Sequence, residues 1–160
     1  MKFLIIVGRL AFVLGALLIT FSICANAQGG AAKPAAATDK IGGFIKKSGF
    51  KYTEFKKGVW TVDSEHGPIL IGGGDDFVVI FMIVAKKDSF RVTEQSMVEM
   101  LKLSGDLDFL EMNLDEAGDL SVRAEAKVKL MDQKLFEEAL QRVVSGYAEA
   151  AARLAPFVIK

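Results

Sequence analysis

The run Gly72-Gly73-Gly74-Asp75-Asp76 is the stretch of this chain that most invites a chemical reading. Clustered glycines let backbone amides close on a phosphate, but such a loop leaves a strand and enters a helix whose N-terminal amides face the anion, often with a lysine to complete the charge. Here the glycines lead into a strand-like run, and two carboxylates stand where the anion would sit, so the segment reads as a wide turn between strands. Asp115-Glu116-Ala117-Gly118-Asp119, with Asp106 and Asp108 upstream, carries the oxygen ligands of a calcium loop. Its spacing misses the EF-hand order of ligands at the first, third and fifth positions, glycine at the sixth and glutamate at the twelfth, and a hairpin turn with solvated charges fits better. His66, the sole histidine, has Asp63, Ser64 and Glu65 beside it. A metal recruits several such ligands and a triad needs a placed nucleophile, so His66 reads as a residue of a surface turn.

A binding surface is the other chemistry on offer. Trp60, with Phe50, Tyr52 and Phe55 near it, can form a platform for a ligand or peptide, although aromatic clusters also fill the cores of small domains. Met82, Met97, Met100, Met112 and Met131 suit either an adaptable binding face or ordinary packing, and the sequence does not separate the two. Trp60, Tyr52 and Met82 are the candidate binding residues; no catalytic, cofactor-binding or metal-ligating residue is assigned. Lys46-Lys47, Lys56-Lys57 and Lys86-Lys87 read as solvated edges and turn flanks.

The N-terminus says where such a surface would work. Met1, Lys2 and Arg9 precede an apolar block from Leu10 to Ile23, which exits through Ala25-Asn26-Ala27. That is the layout of an export signal with an A-x-A cleavage site. The block after Arg9 is fourteen residues long, short of the ~20 that a membrane-spanning helix needs. Cleavage after Ala27 is expected, leaving a periplasmic or secreted protein that begins at Gln28 with no stable membrane insertion. The alternative is an uncleaved anchor over Phe3 to Ile23, which would hold the same domain on the outer side of the inner membrane. A lipoprotein reading fails, because Phe21-Ser22-Ile23 before Cys24 lacks the aliphatic-then-small pattern.

Removal of residues 1–27 takes Lys2, Arg9 and no acid, leaving eighteen basic against twenty acidic side chains over 133 residues. So small a balance gives no field to gather nucleic acid, which is placed outside the partners, and the length suits one domain. Cys24, the only cysteine, leaves with the signal, and with it any disulfide, thiol nucleophile or Cys-ligated metal.

The remaining chain divides into a spacer over Gln28 to Thr38, small and Gly/Pro-punctuated, and a single domain over 39–160. A short helix is expected over Asp39 to Ser48, with Ile41, Phe44 and Ile45 on one face. Four strand patterns follow, at Lys51 to Phe55, Gly58 to Asp63, Ile69 to Ile71 and Asp76 to Ala85, separated by turn residues as in an antiparallel meander. The fourth is apolar on both faces: Phe77, Val79, Phe81, Ile83 and Ala85 on one, Val78, Ile80, Met82 and Val84 on the other. Helices can cover one; the second needs another layer or a partner chain. Thr93 caps a helix over Glu94 to Leu103 that uses Met97, Met100 and Leu101 and closes at Ser104-Gly105-Asp106. A hairpin then pairs Leu107 to Leu114 with Leu120 to Val128, whose Leu120, Val122, Ala124, Ala126 and Val128 face inward. Asp132 caps a last helix to about Arg153, with Phe136, Leu140, Val143, Tyr147, Ala151 and Leu154 on its apolar stripe. The order is helix, meander, helix, hairpin, helix: an α+β fold with helices on one face of an antiparallel sheet.

The tract from Thr93 onward resembles the type III secretion chaperone-like fold, and within it the YbjN family of bacterial sensory-transduction regulators. Leu101 to Leu103, Phe109, Gly118-Asp119-Leu120, Val122 to Ala126, and Asp132 with Leu135 and Phe136 stand where that layout puts them. The resemblance implies a small non-enzymatic dimer that binds other proteins, over Asp39 to about Arg153. An export signal departs from cytoplasmic secretion chaperones, so the analogy lends shape more than function. The reading is an exported, non-catalytic protein- or peptide-binding domain, a homodimer without cofactor, chaperone-like or a sensory accessory. The alternative is a small-ligand carrier or enzyme of the cell envelope using Glu65, His66, Asp75 and Asp76.

Overall fold

The structure, a computed structural model, describes residues 34–159; the expected export signal and the first part of the spacer lie outside them. Helix α1 spans Pro34–Lys47, so it begins inside the segment expected to be a spacer through Thr38. Proline in a first turn gives up no needed donor, and the alanines after it have the highest helix propensity. Ala37 already packs against the core, and Ile41 and Ile45 are fully buried.

Six strands follow as predicted in order: β1 Tyr52–Lys56, β2 Val59–Ser64, β3 Gly67–Gly73, β4 Phe77–Ala85, β5 Glu111–Leu114 and β6 Leu120–Lys127. They form one antiparallel sheet in the order β1-β2-β3-β4-β6-β5, so the meander and the hairpin join where β4 pairs with β6. The β1–β2 turn depends on Gly58, held at φ 84° and close to the carbonyl oxygen of Gly73.

Helix α2 spans Glu94–Asp106. Thr93 caps it as expected: its hydroxyl accepts from Ser96 N at 3.1 Å, while Ser96 Oγ accepts from Thr93 N at 2.8 Å. With its hydroxyl engaged at the cap, Ser96 is buried without an open polar group and faces the core with Leu103. The expected apolar positions Met97 and Leu101 therefore turn outward, 52% and 73% exposed. The helix also runs through Ser104-Gly105, where a stop was expected. Arg153 holds the helix at its middle through Glu99 at 2.6 Å and in its last turn through Asp106 at 2.7 Å.

Strand β5 starts at Glu111 and not at Leu107, because Phe109 takes a left-handed φ of 61° and Leu110 N turns back to Leu107 O. On β6, Leu120 and Val122 are buried as predicted, while Ser121, expected to be wet, is 4% exposed and donates to Asn113 O. Helix α3, Gln133–Leu154, starts on the Asp132 cap, which accepts from Leu135 N at 2.8 Å. Phe136, Leu140, Val143 and Leu154 are buried. Gly146 is small where Leu110 and Val122 approach the helix.

Helices α1 and α3 cover the sheet face that carries Trp60, Val62, Ile71, Val78, Ile80 and Met82, and α2 packs on α3 and β5. After α3 the chain runs beside the segment before α2, with Phe90 bridged to Val158 and Ile159 N bonded to Ser89 O at 2.8 Å.

Candidate functional site

Side chains alternate across a strand, so what the helices bury on one face of β4 leaves the other row, Phe77, Val79, Phe81 and Ile83, pointing away from them. Phe81 sits between Leu70 of β3 and Arg123 of β6 in register. Arg123 pairs with Glu111 at 3.1 Å and Glu125 at 3.4 Å, which sets a charged border beside an apolar centre. Among the described residues no element lies over this outer face. Phe77 is 41% exposed, and its neighbours in the row are half-buried by one another. Thr61, next to Leu70 in register, has a buried hydroxyl with no hydrogen-bond partner among the described residues.

The three candidate binding residues fare differently. Trp60 and Met82 are 3% and 1% exposed on the helix-covered face, which corrects their reading as a binding surface. Both are core: the Trp60 ring lies against Gly42 of α1 and Gly73 of β3, and Met82 pairs in register with Val122 under α3. Tyr52 reaches solvent, 36% exposed at the margin of the sheet beside Val62.

The polar alternatives are dispersed. His66 precedes β3 and Asp75 follows it, about 20 Å apart along a seven-residue strand. His66 instead lies against Tyr147, ring centroids 6.0 Å apart. The glycine turn has its amides committed: Gly73 N donates to Gly58 O at 2.7 Å and Gly74 N to Phe77 O at 2.8 Å. In the acidic turn, Asp119 accepts from Lys86 Nζ at 2.6 Å and from Lys87 N at 3.0 Å, and Asp115 accepts from Asp119 N. Desolvation works to raise the Asp119 pKa, but the Lys86 hydrogen bond, the Lys87 amide and the Lys86 charge outweigh it and hold the carboxyl below its ordinary value. No group of three or more metal-ligating side chains converges among the described residues.

A six-stranded antiparallel sheet with its helices on one side and this order of elements has counterparts among solved structures. Chains in three complexes match over most of their length. For the ExsC–ExsE complex the TM-score is 0.58 at 11% identity, over 76% of this chain and 95% of that one. For the ExoU–SpcU complex of the Pseudomonas aeruginosa type III secretion system the values are 0.55, 17%, 72% and 95%. For the Yersinia pestis type III secretion chaperone SycH with a fragment of YscM2 they are 0.52, 14%, 71% and 98%. The fold is that of the type III secretion chaperones. YbjN from E. coli is also matched, at 16% identity over 76% of this chain and 95% of that one, with a TM-score of 0.46. No family model and no curated protein matches the chain.

On this chaperone fold a second surface, absent from the sequence reading, runs along the flank of α3. Leu130, Leu135 and Phe109 are 68%, 47% and 84% exposed there, beside the half-buried Ala124 and Ala126 of β6. The Arg142 guanidinium lies 4.9 Å from the centre of the Phe109 ring. The signal was present as apolar doublets, Phe109-Leu110, Leu130-Met131 and Leu135-Phe136, since only one member of an adjacent pair can face the core.

Proposed function

We propose that this chain is an exported, non-catalytic binding domain that engages a protein or peptide and acts as a homodimer. The observation that carries the reading is the outer sheet face, where an apolar row over Phe77, Val79, Phe81 and Ile83 has no covering layer among the described residues. A contiguous apolar face rimmed by charges such as Arg123 and Glu125 is the property of an interaction surface. The chaperone fold agrees with it, since the matched chains come from complexes of two proteins. The N-terminal export pattern supports placement beyond the inner membrane.

Crosslinking in intact cells, with affinity capture of the tagged protein, tests the reading. A protein partner in near-stoichiometric amount is expected, together with self-crosslinks that disappear in a Phe81→Glu variant. A monomer at every concentration with no captured partner would overturn it. For export, mass spectrometry of the periplasmic extract should find a chain that starts at Gln28; a full-length cytoplasmic chain refutes that part.

A further inference from the structure

We propose that the cleft between α3 and the β2–β3 turn binds a small organic cation, a primary amine on an aromatic or aliphatic body. The cleft opens on the helix-covered side of the sheet, so the proposal stands apart from the protein-binding reading of the outer face. Its floor is apolar: Ile69 of β3 and Leu140 of α3 are buried there, with Val144 half-buried beside them. Gly49 turns the chain out of α1 at φ 74°, and Phe50 after it stands partly exposed as an aromatic wall. The enclosed volume is ≈ 470 Å³, within the range of about 300–1,000 Å³ for small-molecule sites, which pair apolar walls with a few placed polar groups.

The rim sets the charge of the ligand. Among the lining side chains Glu65 alone is ionic, and no lysine or arginine lines the cleft. Lys51, next to Phe50, pairs with Asp63 at 3.5 Å, and the Arg142 guanidinium lies over the Phe109 ring. The Glu65 carboxylate stands 3.6 Å from His66 Nε2, and the His66 ring lies against Tyr147. An ammonium beside Glu65 gains a charge-assisted hydrogen bond and keeps two further donors. Oxygens on two elements can accept them. Ser64 Oγ spends its proton on Gly67 O at 2.6 Å and keeps its lone pairs for an incoming donor. Gln141 and Ser145 stand one helical turn apart on α3. The Phe50 ring offers a π face that attracts a cation and packs an apolar body alike. A carboxylate or phosphate in the same place would meet Glu65 with no lysine or arginine to offset the repulsion.

Titration of the purified, isotope-labelled protein, followed by amide chemical shifts, tests this with three probes of similar shape: 2-phenylethylammonium, 2-phenylethanol and 3-phenylpropionate. The buffer is held at about pH 8, above the titration range of an ordinary histidine. Saturable shifts are expected at Ser64 to His66 and Gln141 to Ser145, with affinity falling from the amine to the alcohol to the acid. Glu65→Gln, at an exposed turn position, should weaken the amine about three- to fivefold, the worth of an exposed ion pair, and leave the alcohol unchanged. Phe50→Leu, which keeps an apolar wall, should weaken it about two- to threefold through loss of the π face. No saturation below about 10 mM, equal affinity for the three probes, shifts centred elsewhere, or an amine affinity indifferent to Glu65→Gln would each overturn the proposal. Self-crosslinks lost with Phe81→Glu while amine binding persists would leave both readings standing on separate faces.

Discussion

One substitution made at three glycines gives three different results, each worked from geometry. Gly43 lies inside α1, and a Cβ there meets nothing within 4 Å. Gly43→Ala therefore only removes the backbone-entropy cost of glycine in a helix and should stabilise by about 0.5–1 kcal/mol. Gly49 also has open space but holds φ at 74°, and an alanine forced into that region costs about 1–2 kcal/mol. Gly58 combines a φ of 84° with a Cβ position 2.9 Å from the carbonyl oxygen of Gly73. That neighbour is backbone, and Gly73 N donates to Gly58 O at 2.7 Å, so relief requires the β2–β3 ladder to shift. Adding about 1–3 kcal/mol for overpacking to the dihedral cost gives about 2–5 kcal/mol for Gly58→Ala. Urea and thermal unfolding followed by circular dichroism read all three, with each kcal/mol moving Tm by about 4 °C in a domain of this size. If Gly58→Ala cost no more than Gly49→Ala, the close backbone approach would have no energetic weight and the reasoning would fail.

Trp60→Ala should cost about 3–5 kcal/mol as a core truncation, so binding and folding are lost together; a folded variant of unchanged Tm refutes its burial. Asp119 has a folded pKa below the ordinary carboxyl value, so its contribution is fully present above the unfolded pKa and is lost as pH falls through the folded one. Asp119→Asn should accordingly lower stability near neutral pH and flatten the acid limb below about pH 4; parallel pH–stability curves for the two proteins count against the Lys86 contact. Asp132→Ala removes the α3 cap and should cost about 1 kcal/mol, measured by urea midpoint at unchanged slope, whereas no change would show the Leu135 amide satisfied elsewhere.

Much of the fold was legible because the strands alternate cleanly and Thr93 and Asp132 mark real helix starts. The two-sided apolarity of Phe77 to Ala85 pointed to a second face, and that row stays only partly buried among the described residues. Trp60 was also readable: Asp63 shares the Thr61 face of β2 and marks it as wet, which sends Trp60 inward. Met82 was not, since β4 has no polar residue to break the tie and only pairing with Val122 decides it. The start of α1 was missed because alanines around a proline suit a spacer and a helix equally, and burial of Ala37 settles the choice. The turn at Phe109 has no glycine to announce it.

The seam where β4 meets β6 sets a timetable for making the protein. Phe77 pairs with Lys127 and Ile83 with Ser121, so the central strand waits for residues far along the chain. The covering helix, α3, ends only at Leu154. At translation speeds of about 5–20 residues per second, some 4–14 s separate Ala85 from Leu154. Through that interval nine residues, FVVIFMIVA, stand without a second neighbour or a roof, in a stretch with strong β-propensity and no charge. The strand that later knits the two halves together is thus the segment most open to misassociation during synthesis, and a charge at Phe81, on its uncovered side, should lower aggregation of the nascent chain while leaving the buried row unchanged.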